Sequence, residues 1–261
     1  KHWSRGLGDV YKRQVQLNAN GAPSLGASSL GWPSGLQSPW LHPHEWYEIR
    51  VPVWEQNGIF DLAEVELQLA ANTPNPAVIQ WNQSTDVCTS LDPYVEVESC
   101  KLVPAEADDL FSRNGEYVVN FSIEWGYDPD TSVERVPEIT LVDHSGQSNR
   151  FMLKPLNWKF SGELSIDSES LRVSIPGEDE DSLGYWLQPR TTFEVQGDVV
   201  WYRTGTLPSQ NLEVELTLGE NNLEAQVVNG SFSGSLMAPL VDGTYGLFGD
   251  LRDAPNGAVY R

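Results

Sequence analysis

WLHPHEWYEI, residues 40–49, and WLQPRTTFEV, residues 186–195, are one pattern written twice. At a constant offset of 146, Trp40 meets Trp186, Leu41 meets Leu187, Pro43 meets Pro189, Tyr47 meets Phe193, Glu48 meets Glu194 and Ile49 meets Val195. The match resumes downstream in AEVELQL and LEVELTL, where Glu64, Val65, Glu66, Leu67 and Leu69 meet Glu213, Val214, Glu215, Leu216 and Leu218 at an offset of 149. The chain therefore contains a duplicated module. Further on, NGEYVVNFSIEW and DGTYGLFGDLRD both carry Gly-x-Tyr, which sets Tyr117 against Tyr245 at the start of a strand. The offset there has fallen to 128, so the first copy holds an insertion of about twenty residues before that strand.

Within each copy, apolar and polar residues alternate. YEIRVPVW, EYVVNFSIEW, PEITLV and TTFEVQGDVVWY show the period of two that a strand with one solvated face requires, and no helical periodicity is sustained. Five Asn-Gly pairs, beginning at Asn20, Asn57, Asn114, Asn229 and Asn256, supply the positive φ angles of tight hairpin turns. The fold class is all-β, with short antiparallel strands.

Composition narrows the partners. The 261 residues carry 37 carboxylates against 16 Lys and Arg, a net charge of −21 that repels nucleic-acid phosphate and anionic lipid. No apolar run approaches the roughly 18 residues of a membrane span, so direct membrane insertion of this segment is not expected. KHWSRGLGDVYKRQ, residues 1–14, is basic and unpatterned; it resembles translated sequencing-adaptor read-through and is set aside from fold reasoning.

An early Trp-bearing strand, an x-V-E-L-x-L middle strand and a late Gly-x-Tyr strand resemble the tandem immunoglobulin-like modules of large prokaryotic cell-surface proteins, over most of residues 40–261. The resemblance implies two β-sandwiches in which Tyr117 and Tyr245 tie down a corner through their hydroxyls. The cysteine pair of antibody domains is missing from the corresponding strands. The expected division is an irregular lead-in at 15–39, a first module at 40–145, a joint at 146–158 and a second module at 159–261. That second module is expected to lack its final strand, because APNGAVYR offers no counterpart to PEITLV.

Sequence motifs for chemistry are sparse. No nucleophile elbow, P-loop, H-E-x-x-H or nucleotide fingerprint occurs, so neither a catalytic site nor a cofactor is expected. HPHE places His42 and His44 where His144 or Glu45 can complete a zinc site, yet the repeat replaces them with Gln188 and Arg190, which favours ordinary surface histidines. Asp128, Asp130 and Ser132 form a D-x-D-x-S run suited to calcium, without the Gly and Glu of an EF-hand loop. Alternate carboxylates such as Glu64 and Glu66, or Glu96 and Glu98, have the spacing a glycosidase would use, but the EVEL pair recurs in both copies and reads as a solvated face.

Cys88 and Cys100 are the only cysteines and both fall in the inserted segment, where a disulfide is expected in an oxidising compartment. The sequence thus points to a non-enzymatic spacer or adhesive module of an extracellular or cell-surface protein. Its expected partners are neighbouring modules of the same chain and a protein or glycan ligand. A carbohydrate-binding module is the alternative, motivated by Trp32, Trp54 and Trp81 and by the aromatics of residues 40–47. Positions that differ between the copies, His42, His44 and the Cys88 to Cys100 insertion, are where recognition is sought first.

Overall fold

A computed structural model describes residues 21–26, 39–71, 73, 76–106, 109, 111–125, 127, 135–175, 187–252 and 259–260. The adaptor-like stretch, most of the lead-in, Trp32, Trp186 and the calcium run Asp128, Asp130 and Ser132 lie outside the described residues. The chain is all-β and forms two tandem immunoglobulin-like sandwiches.

The first sandwich contains β1 (Ser24–Leu25), β2 (Trp40–Leu41), β3 (Trp46–Trp54), β4 (Leu62–Gln68), β5 (Val78–Asn82), β6 (Val87–Ser90), β7 (Val95–Pro104), β8 (Asn114–Ile123), β9 (Glu138–Asp143), β10 (Ser148–Met152) and β11 (Lys159–Phe160). One sheet has the order β1-β3-β8-β7, the other β10-β9-β4-β5-β6, and β2 pairs with β11 in parallel. The second sandwich contains β12 (Leu164–Ser174), β13 (Thr192–Trp201), β14 (Leu212–Leu218), β15 (Asn221–Val227), β16 (Ser231–Met237), β17 (Leu247–Arg252) and β18 (Val259–Tyr260), in sheets β12-β13-β16 and β15-β14-β17-β18.

Alternation builds both cores. Tyr47, Ile49, Val51 and Val53 of β3 alternate with Glu48, Arg50 and a buried Pro52 and fill the first core, and Phe193, Val195, Val199 and Trp201 of β13 fill the second. The first sandwich is larger than the sequence suggested. Residues 146–158, read as a joint, contain β10, which pairs with β9, while Leu153, Leu156 and Trp158 are fully buried in the first core. The Trp158 indole also donates to the Leu69 carbonyl at 2.8 Å. The lead-in contributes β1, whose Ser24 lies opposite Trp54.

Strand pairing corrects the alignment of the late strands. Tyr117 of β8 lies opposite Val51, and Phe232 of β16 lies opposite Gly197, the residue 146 positions after Val51. Tyr117 therefore corresponds to Phe232, not to Tyr245. Its hydroxyl is buried without a hydrogen-bond partner among the described residues, its ring packs 6.3 Å from that of Trp81, and burial raises its pKa. This is a core side chain and not a corner tie. Tyr245 lies ahead of β17 and donates its hydroxyl to the Val241 carbonyl at 2.8 Å within its own loop.

The strand after Tyr245 fills the place of β9: Leu141 lies opposite Val65 and Leu251 opposite Val214, 149 positions on. The counterpart of EITLV is thus LFGDLR in β17. One strand later, five-residue β10 pairs with β9 and two-residue β18 pairs with β17.

Candidate functional site at the joint between the sandwiches

The loop that opens the repeat folds identically in both copies. Glu45 N donates to the His42 carbonyl and His44 N to that of Ile123; in the second copy Thr191 N donates to Gln188 and Arg190 N to Ala238. His44 and Arg190 both adopt a left-handed backbone, φ 58° and 66°, uncommon for residues with a Cβ. The backbone is common to the copies and the side chains are not. In the first copy those side chains receive the second sandwich.

His42 lies flat on Trp201, ring centroids 4.6 Å apart and 4° from parallel. Its Nδ1 is 2.7 Å from the Ser161 carbonyl oxygen and its Nε2 is 3.1 Å from Thr204 Oγ1. A carbonyl only accepts, so Nδ1 carries the proton and Nε2 accepts from the threonine hydroxyl. Burial lowers the imidazole pKa, against the opposing effects of the Ser161 hydrogen bond and the Glu45 charge.

Glu45 closes the other side. Its Oε1 accepts from Trp201 Nε1 at 3.2 Å and from the Ser209 backbone N–H at 2.8 Å, so one carboxylate oxygen holds both the aromatic anchor and the β13–β14 connection. Trp125, just beyond β8, packs against the second core with its ring 5.7 Å from Trp201. A Cβ on Gly162 would come within 2.8 Å of the Trp125 ring, so the indole rests on backbone that only glycine leaves open. At the rim, His44 Nε2 meets Glu124 at 3.2 Å, and the Arg203 guanidinium lies 5.5 Å from the Trp40 ring centroid.

The insertion is a second distinctive feature. Residues 83–113 join β5 to β8, whereas 228–230 suffice between β15 and β16. The inserted chain forms β6 and β7, which sit on the edges of different sheets. Cys88 on β6 is bonded to Cys100 on β7, with Cα atoms 5.9 Å apart, so the disulfide links the two sheets across the sandwich edge.

The zinc arrangement does not form. His144 N donates to the Asp61 carbonyl and its ring meets Gln83, which places it at the end of the first sandwich away from His42 and His44. Among the described residues no three His, Cys, Asp or Glu side chains converge where they can hold a metal. The EVEL carboxylates are engaged along their sheets: Glu64 accepts from Gln80, Glu66 from Gln68 and Glu213 from Gln226. A cleft of about 190 Å³ beside the joint, lined by Trp125, Tyr127 and Phe160, is smaller than a typical small-molecule site.

Sequence reasoning singled out His42 and His44 as copy-specific but missed Glu45, Trp125 and Trp201 as their partners. The readable signal was the same difference between copies, extended to Glu45 over Thr191.

No family model and no curated protein matches the sequence. Among solved structures the chain is similar to BcpA, the major pilin subunit of Bacillus cereus, at 12% identity and a TM-score of 0.29 over 92% of this chain. The chain spans 63% of the length of that pilin chain.

Proposed function

We propose that this chain is a stiff, non-enzymatic spacer of an exported cell-surface protein, with loops available for adhesive contacts to protein or glycan. One observation carries the reading: Glu45, His42 and Trp125 hold buried Trp201 on three sides, so directional contacts specify the orientation of the sandwiches. A flexible linker would leave those groups in water. The Cys88–Cys100 bond supports an oxidising compartment, where such bonds persist. Trp81, Trp158 and Trp201 are core residues, and Trp40 and Trp125 belong to the joint. That leaves half-buried Trp54 and Trp46, 47% exposed, the one large exposed indole among the described residues, which favours the spacer over the carbohydrate-binding alternative.

Small-angle scattering of wild type and of Glu45→Ala/Trp201→Ala tests the proposal. A single arrangement of the sandwiches should fit the wild-type curve, and the double variant should require a spread of arrangements with a larger radius of gyration. A wild-type curve that already requires such a spread overturns the spacer reading.

A further inference from the structure

Each sandwich has two unlike ends. The receiving end carries the turn shared by residues 42–45 and 188–191 and the segment after β8 or β16; the inserting end carries the β3–β4 or β13–β14 connection. The internal joint seats the second sandwich's inserting end, with Trp201, Thr204 and Ser209, on the first sandwich's receiving end. Among the described residues, one end of each kind takes no part in this joint.

Both free ends expose large apolar side chains. The bonds from His44 to Ile123 and from Arg190 to Ala238 are equivalent, so Leu240 stands two residues beyond Ala238 as Trp125 stands beyond Ile123. Trp125 is covered by the second core, while Leu240 and Val241 are 61% and 69% exposed. Their loop is held in place: the Tyr245 hydroxyl donates to the Val241 carbonyl, and the Tyr245 ring and Pro239 rest against Gly219. At the free inserting end, Phe111 is 79% exposed and its backbone lies against Gly58 of the β3–β4 connection.

We propose that the receiving end of the second sandwich docks the inserting end of the first sandwich of a second copy, with Phe111 against Leu240 and Val241. The inference rests on the spacer reading and continues its internal joint from one copy to the next. Such a contact joins unlike surfaces and does not close, so it yields linear head-to-tail chains. It differs from the internal joint in its side chains, with Gln188, Thr191 and Leu240 standing where the first sandwich has His42, Glu45 and Trp125. Buried Glu55 stands 146 positions before Trp201, so no indole is offered there and the association is weaker than the tethered joint.

Sedimentation velocity and light scattering, from about 5 μM to about 1 mM and with salt raised to screen the charge of −21, read the result. The wild-type average mass should climb with concentration beyond that of a dimer. Phe111→Asp alone and Leu240→Asp/Val241→Asp alone should each stay monomeric with melting temperatures within about 2 °C of wild type, since the sites are exposed. Mixed in equal amounts, the two variants should pair through their intact ends and stop at a dimer. Phe111→Ser and Leu240→Ser/Val241→Ser repeat the test if either Asp variant is destabilised. A wild type monomeric at 1 mM, assembly that survives both variants, or a mixture that remains monomeric overturns the proposal. None of these results alters the scattering of a single copy, so the spacer reading is judged separately.

Discussion

Trp201 of the second sandwich lies within 4° of parallel to the His42 imidazole of the first, at a centroid distance of 4.6 Å. Burial lowers the imidazole pKa and so favours the neutral ring in this stack. Nδ1–H faces the Ser161 carbonyl, and a proton on Nε2 would force the Thr204 hydroxyl to reverse.

The first expected outcome is therefore a pH dependence. His42 has its folded pKa depressed below an ordinary value of 6.5, so the unfolded chain binds the proton more readily. Its contribution to stability is in place above pH 6.5 and is lost as the pH falls toward the folded pKa. Glu55 works in the opposite sense, because burial raises its pKa and its contribution is lost as the pH rises. Comparing wild type with His42→Gln, the residue of the second copy, isolates the histidine: melting temperatures from pH 8 to pH 5 should fall less steeply in the variant.

Glu45→Ala should cost about 1–3 kcal/mol, since it strands the indole N–H of buried Trp201, while the exposed Ser209 amide can turn to water. Glu45→Gln keeps an oxygen acceptor and should cost less. Thermal denaturation gives the magnitude, and the Trp201 indole proton resonance should shift in the alanine variant.

Gly162→Ala should disturb the joint at Trp125, where the indole packs against the second core. The added methyl meets the Trp125 ring at 2.8 Å, and displacing an indole in a packed site costs on the order of 1–3 kcal/mol. Tryptophan fluorescence should move to the red, while the amide exchange of β4 and β14 stays at wild-type rates.

Cys88→Ser/Cys100→Ser should destabilise the first sandwich by roughly 3 kcal/mol, the chain-entropy value for a loop of this separation. The bond joins β6 to β7 on opposite sheets, so exchange should accelerate along those two edge strands first. The second sandwich, which lacks the insertion, should melt as before.

The duplication was legible because the side chains that set the loop and the inward face of β3 recur at a fixed spacing in β13. Its late strands were not, because Tyr117 and Tyr245 share a local Gly-x-Tyr pattern while the true counterparts, Tyr117 and Phe232, share only an aromatic ring and a position opposite β3 or β13. Sequence similarity reports composition; strand identity depends on which neighbour supplies the hydrogen bonds. Residues 146–158 do not announce their core for a related reason, since large apolar residues such as Leu153, Leu156 and Trp158 do not state which core they fill. The joint itself was half visible. His42 and His44 stood out by differing from Gln188 and Arg190, but Ser161 and Thr204, which His42 meets, lie more than a hundred residues away, and no local pattern announces them.

The central claim is that the two sandwiches move as one body. Residual dipolar couplings of backbone amides test it most directly, because each sandwich reports its own alignment tensor in the intact chain. In the wild type a single tensor should fit couplings from β3, β4, β8 and β9 together with those from β13, β14, β16 and β17, and Glu45→Ala/Trp201→Ala should split it into two. Two tensors of different magnitude in the wild type would contradict the account.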